Sequence, residues 1–226
     1  MSTQEKPWMS QLEAMIQEKN MLTTPFYQAW TRGHLEKETL QTYAKEYYHH
    51  VKAFPTYLSA VHSRCEDQAA RRVLLENLVD EEAGHPNHPE LWREFAIALG
   101  VSEEDLDTQQ PGNAANELIA TFRDICCHEP VTAGIAALYC YESQIPLICT
   151  SKIDGLKKWY GMDNPEDYKY FTVHETADVV HAGTERQLLL DMVKPEEEKA
   201  VLESAQKILD TLWKFLGSFH SEPCPV

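Results

Sequence analysis

The chain has 226 residues, with 20 Lys plus Arg against 36 Asp plus Glu and a formal net charge of −16. A balance this acidic excludes a protein that tracks a nucleic-acid backbone, which needs clustered basic residues. No run of five or more basic residues exists to draw the chain to an anionic membrane surface. The longest nearly apolar stretch, Val131–Tyr141, falls well short of the ~18–20 residues that span a bilayer. The opening MSTQEKPWMSQLEAM has no apolar export core. Six Cys without CxxC spacing, two of them adjacent, read as reduced thiols and a cytoplasmic setting, with secretion to a host left open. At 43% hydrophobic residues the chain can bury a sizeable core.

Helix signals recur along the chain and strand signals do not: Gly numbers only 9 and no Val/Ile/Thr alternation is present. The first predicted helix covers 8–19. Thr24-Pro25 opens a second over 24–32, because Pro suits the first helical turn, where an N–H is spare. Long patterns follow over 36–64 and over 67–83, the latter stopping at Gly84. Another covers 88–99 and stops at Gly100. Ser102 with Asp105 starts a short helix over 102–107. Helices over 113–127 and 131–158 come next. Asn164-Pro165 opens one over 165–192, and Lys194-Pro195 opens the last, over 195–219. Pro55 and Pro146 fall inside two of these patterns and are expected to kink or break them. The reading is an all-α single domain over 1–226, with 1–6 and 220–226 disordered.

The sharpest chemical pattern is Tyr170-Phe-Thr-Val-His174-Glu-Thr-Ala-Asp178-Val-Val-His181. At about 100° per residue, His174, Asp178 and His181 fall within a stripe ~60° wide, with Tyr170 one turn earlier. Two imidazoles and a carboxylate so arranged suit Fe, Mn or Zn, although a polar face that happens to carry two His would look the same. Glu185 continues the stripe without a partner signal. Glu142 lies in GIAALYCYESQIP, a stretch so apolar that it belongs to the core. A carboxylate there requires an ion pair, a proton or a metal. A third contribution comes from ENLVDEEAGHPNHPELW, where a helix end and the next start let an acid and a His converge. The apolar positions Leu74, Leu75, Leu78 and Val79 centre nearer Glu82 than Glu81, and His85 rivals His88. With no Cys in the set, a closed structural zinc site is disfavoured. Carboxylates bridging two ions, with imidazoles at the ends, are how helical proteins hold a metal pair. Open positions on such a centre bind O2 and support oxidation of a nearby C–H, C–C or phenol.

Aromatic residues and a lysine accompany these elements. Tyr43, Tyr47 and His50 share one helical face, Tyr27 lies in TPFYQAW, Tyr139 and Tyr141 precede Glu142, and Lys152 follows Pro146. For each tyrosine the residues alone favour an ordinary core aromatic, and for Lys152 a solvated surface cation.

The segments YAKEYYHHVKAFPTYLSAVHSRC, LVDEEAGHPNHPELW, AALYCYESQIP and EDYKYFTVHETADVVHA resemble the family named for the Chlamydia protein associating with death domains. That family falls within the heme-oxygenase-like helical superfamily, beside thiaminase II and pyrroloquinoline-quinone synthase. The resemblance runs from about residue 10 to 219. It implies a bundle of about seven long helices around a dinuclear metal site. It also selects Glu81 over Glu82 and His88 over His85, giving Glu81, His88, Glu142, His174, Asp178 and His181 as ligands of two ions, Fe/Fe or Fe/Mn. The implied activity is O2-dependent synthesis of para-aminobenzoate for folate, with an external reductant. The ring comes from the chain's own Tyr27, the amino nitrogen comes from Lys152, and each chain turns over once. Tyr43 and Tyr141 are assigned to relaying oxidising equivalents. An alternative is a thiaminase-II-like hydrolase with Cys140 as nucleophile. Another is a module for host death-domain proteins, as the family name implies. A two-fold homodimer is the expected assembly.

Overall fold

The structure, a computed structural model, describes residues 6–222, and every regular element among them is helical. Helix α1 spans Pro7–Glu18, α2 Pro25–Arg32, α3 Lys37–Arg64, α4 Gln68–Glu82, α5 His88–Ala98 and α6 Glu103–Thr108. Then come α7 Asn113–His128, α8 Val131–Glu142, α9 Ile145–Tyr160, α10 Lys169–Met192 and α11 Glu198–Gly217. Short 3-10 turns lie at Met21–Thr23 and Pro165–Tyr168.

Local chemistry sets many of the ends. Thr24 Oγ1 accepts from the Tyr27 N–H ahead of Pro25, and Ser102 Oγ accepts from the Asp105 N–H. Gly161 ends α9 in the left-handed conformation at φ 67°, which any side chain would strain. A reciprocal capping box holds the start of α5, the Asn87 side chain accepting from Glu90 N–H and the Glu90 carboxylate accepting from Asn87 N–H.

Three expected helices are divided differently. The pattern over 131–158 breaks at Ser143 and Gln144, between α8 and α9. There Gln144 Oε1 accepts from Met21 N–H at 2.8 Å and its Nε2 donates to the Cys140 carbonyl at 2.8 Å. Pro146 accordingly stands in the first turn of α9, where its missing donor is harmless. The 165–192 segment opens as a 3-10 turn and becomes α-helical only from Lys169. Pro195 is not at a helix start: a turn closed by Glu197 N–H on the Lys194 carbonyl precedes α11. Pro55 stays within a continuous α3, held by the burial of Phe54, Pro55, Tyr57 and Leu58 around it.

Helix α8 forms the axis. All its residues from Thr132 to Glu142 are buried, and α3, α7, α9, α10 and α11 pack around it. Ala133, Gly134, Ala136 and Ala137 keep it slender. A Cβ on Gly134 would stand 2.7 Å from Val61 Cγ2 of α3, so the close approach of α3 depends on this glycine. The site sits at the C-terminal end of this axis. No helix among the described residues is long and apolar enough to cross a membrane. Cys65, Cys126, Cys127, Cys140 and Cys149 are free thiols. Of 1–6 and 220–226, expected to be disordered, residues 1–5 and 223–226 (with Cys224) lie outside the described residues, and 220–222 are described beyond the end of α11. Lys6 is tied down: its Nζ donates to the Leu190 carbonyl at 2.6 Å.

Candidate metal centre and aromatic chamber

Four helices deliver the polar cluster. Glu81 comes from the last turn of α4, His88 from the first position of α5, Glu142 from the end of α8, and His174, Asp178 and His181 from one face of α10. All six are buried. Glu81, His88 and His174 bring one donor atom each within 4.8 Å of one another, and so do Glu142, Asp178 and His181. Glu82 and His85, the rivals at the α4–α5 junction, are exposed.

The donors are aimed inward by their neighbours. His174 Nδ1 is 2.7 Å from the Tyr170 carbonyl, so it carries the proton and leaves Nε2 for the cluster. Tyr170 also stacks on the His174 ring, with centroids 4.0 Å apart. Exposed Asp80 accepts from His181 Nε2 at 3.1 Å, which turns Nδ1 toward Glu142 Oε1 at 3.4 Å and Asp178 Oδ1 at 3.3 Å. Asn77 Nδ2 donates to Glu142 Oε1 at 3.0 Å. His88 Nδ1 comes within 2.9 Å of Glu81 Oε1 without the alignment of a hydrogen bond. His181 Nδ1 and both Asp178 oxygens are likewise buried with no hydrogen-bond partner.

Buried donors facing one another unsatisfied are expensive unless a cation lies between them. Carboxylate and imidazole without thiolate is the donor chemistry of iron and manganese, so the residues present fit a pair of such ions. Electrostatics agree. Burial, then the Glu142 and Glu81 charges, push the Asp178 carboxyl up, against the pull of His181. Burial opposes the His181 imidazolium, yet Asp178 and Glu142 outweigh it and raise that group. His174 is held well below the usual imidazole range by burial and by His88, which keeps it in the neutral, ligating form.

An aromatic chamber adjoins the cluster. Tyr141 lines a small cavity together with Val51, Phe54, Glu81, Glu142, Tyr170, His174 and Asp178. Its hydroxyl is 2.5 Å from that of Tyr47, and the Tyr47 ring lies 5.2 Å from the Tyr43 ring. Tyr43 Oη in turn lies 3.4 Å from Tyr27 Oη and accepts from Lys152 Nζ at 2.7 Å. Lys152 is therefore no surface cation. It is 3% exposed, its Nζ is 4.9 Å from the Tyr43 ring centre and 5.4 Å from that of Tyr27, and burial pulls its pKa down to about 7. Gly155, one turn later on α9, makes room for α2: a Cβ there would stand 2.6 Å from Trp30 Cδ1. Trp30 Nε1 donates to the Lys152 carbonyl at 3.2 Å.

Residue types alone did not single out Asn77, Asp80, Tyr47 or Glu185. For Tyr47 the i, i+4, i+7 spacing with Tyr43 and His50 was the available signal, and for Glu185 its place on the His174 stripe. Cys140 is fully buried and burial drives its thiol far up, which suppresses the thiolate a nucleophile needs.

The model of a family described as iron-containing redox enzymes matches residues 41–213, a stretch that holds all six donors and Lys152. The chain belongs to that family. A relative named 4-aminobenzoate synthase, from Chlamydia pneumoniae, is 51% identical over 96% of this chain and 97% of its own length. Another of that name, from Nitrosomonas europaea, is 44% identical over 95% of this chain and 91% of its own. Among solved structures, a domain of unknown function with a heme oxygenase-like fold from Shewanella denitrificans superposes with a TM-score of 0.78. It covers 93% of this chain and 89% of that one at 19% identity, and so speaks to the fold alone. The family is one of oxidation enzymes, and the all-α, heme-oxygenase-like expectation holds.

Proposed function

We propose that this chain synthesises 4-aminobenzoate in an O2-dependent oxidation. Tyr27 supplies the ring and carboxyl carbon, and Lys152 supplies the amino nitrogen. Glu81, His88, Glu142, His174, Asp178 and His181 would hold two ions, Fe/Fe or Fe/Mn. When bound, such ions supply O2 activation, drawing electrons from an external reductant. The carrying observation is the company of Lys152: a buried amine one hydroxyl away from Tyr27, joined to the donor cluster by the contacts from Tyr43 through Tyr47 to Tyr141. The names and similarity of the relatives support the product.

The chain's own groups suit the task. Tyrosine already has a carbon para to its oxygen, and 4-aminobenzoate needs that carbon as a carboxylate and nitrogen in place of the hydroxyl. Burial leaves the Lys152 amine substantially neutral near pH 7, the form with a lone pair to offer an electrophilic ring. Tyr43 holds that amine through its hydroxyl and stands between it and Tyr27. The apolar walls, including Phe26, Trp30 and Phe171, exclude water from an oxidised ring. Tyr141 and Tyr43 are assigned to passing oxidising equivalents between cluster and Tyr27, and Tyr47 bridges them. We further propose a cytoplasmic setting, which the free thiols support.

Intact-chain and peptide mass spectrometry tests this, before and after iron-loaded protein meets O2 and reductant. The expected result is at most one product per chain, with mass lost from the Tyr27 peptide and altered at Lys152. An unaltered Tyr27 peptide alongside many products per chain would reject self-consumption.

A further inference from the structure

Glu185 has no place in the six-donor set, yet it is 1% exposed and both of its carboxylate oxygens lack a hydrogen-bond partner. It lies one turn beyond His181 and two beyond Asp178 on α10, and its carboxylate rests against that of Glu142. Two ionised carboxylates are both acceptors, so this contact holds only with a proton or a cation between them. Burying a lone charged acid in an otherwise apolar interior is among the costliest arrangements a fold can hold. Charge accounting gives the contact a purpose. Two divalent ions carry four positive charges, whereas Glu81, Glu142 and Asp178 offer three negative ones. Helical proteins that hold a metal pair in their core typically use four carboxylates.

We propose that Glu185 is the fourth carboxylate of the metal centre. It is a positioning residue whose charge balances the ion held by Glu142, Asp178 and His181, and whose contact sets the orientation of Glu142. This rests on the two-ion reading of the site. Glutamine at this position keeps the shape and adds an N–H able to bond Glu142. A merely structural role would therefore be served as well or better, while the charge would be lost.

The test titrates the metal-free full chain with Mn(II) alone, without oxygen, reading free Mn(II) by electron paramagnetic resonance and thermal unfolding in parallel. Wild type should bind two equivalents. Glu185→Gln should keep the first and weaken the second by tenfold or more, while its metal-free midpoint stays equal to or above wild type. Glu185→Asp, which keeps the charge, should retain more of the second equivalent than Glu185→Gln. Uptake of both ions by Glu185→Gln with wild-type affinity would overturn the proposal, and so would a lowered metal-free midpoint with both ions lost. A wild type that binds fewer than two ions would overturn the two-ion reading itself, and the proposal with it. If Glu185→Gln fails to fold, crystals of Mn(II)-loaded wild type decide. The carboxylate turned to the ion held by Glu142, Asp178 and His181 supports the role, and one directed away from that ion overturns it.

Discussion

Lys152 Nζ and Tyr43 Oη are joined by a 2.7 Å hydrogen bond in a chamber of aromatic rings, and the amine pKa falls from 10.5 to about 7 by burial. The unfolded chain therefore binds one more proton than the folded chain between those values. Stability from this group is fully present above 10.5 and is lost as pH falls toward 7, by up to about 1.4 kcal/mol per pH unit. Lys152→Met removes the titration. Denaturant unfolding of the metal-free proteins from pH 6.5 to 10 should show Lys152→Met more stable at the acid end, with the gap closing as pH rises.

Tyr27→Phe should abolish 4-aminobenzoate formation while sparing the fold. The deleted hydroxyl makes a single long contact of 3.4 Å, so the loss should stay within about 1 kcal/mol. Product assay and unfolding on the same preparation check both halves, and Mn(II) uptake should match wild type.

Metal binding should stabilise the chain by mass action. Free Mn(II) at about one hundred times a site's dissociation constant adds about 2.7 kcal/mol for each site filled, and a chelator removes it. Asp178→Asn should halve the bound metal and reduce the thermal shift, because this residue belongs to the second group of donors and lacks any hydrogen bond of its own.

Gly155→Ala should loosen the seating of α2. The new methyl group meets Trp30 Cδ1 at 2.6 Å, an overlap that requires movement and costs about 1–3 kcal/mol. Because Trp30 bonds the Lys152 carbonyl, the variant should also slow product formation. Calorimetry and a single-turnover assay measure the two effects.

Helix content was legible wherever capping and glycine stops act locally, as at Thr24-Pro25, Ser102 and Gly100. Helix α4 shows where periodicity misleads. Its wheel points Leu75 and Val79 inward, yet these are 45% and 49% exposed, while Asn77 and Glu81 are buried. The interior face of α4 turns polar in its C-terminal half, after Ala70 and Leu74, where Asn77 and Glu81 meet the cluster, and a hydrophobic wheel cannot register that preference. Resemblance to a family pattern separated Glu81 from Glu82. The buried state of Lys152 was equally invisible, since it depends on α2, α3 and α5 closing over α9. Pro195 misled for the opposite reason, a local turn satisfying its own hydrogen bonds before the helix begins.

Tyr27 is wedged among Phe26, Tyr43 and the Lys152 amine with almost no contact with solvent. On the proposal that Tyr27 gives up its ring, the reaction would leave a hollow of the kind that weakens a fold by about 3–5 kcal/mol. On that same proposal a chain that has reacted would be a softer substrate for proteases than one that has not, and the yield of product would be set by the number of fresh chains translated.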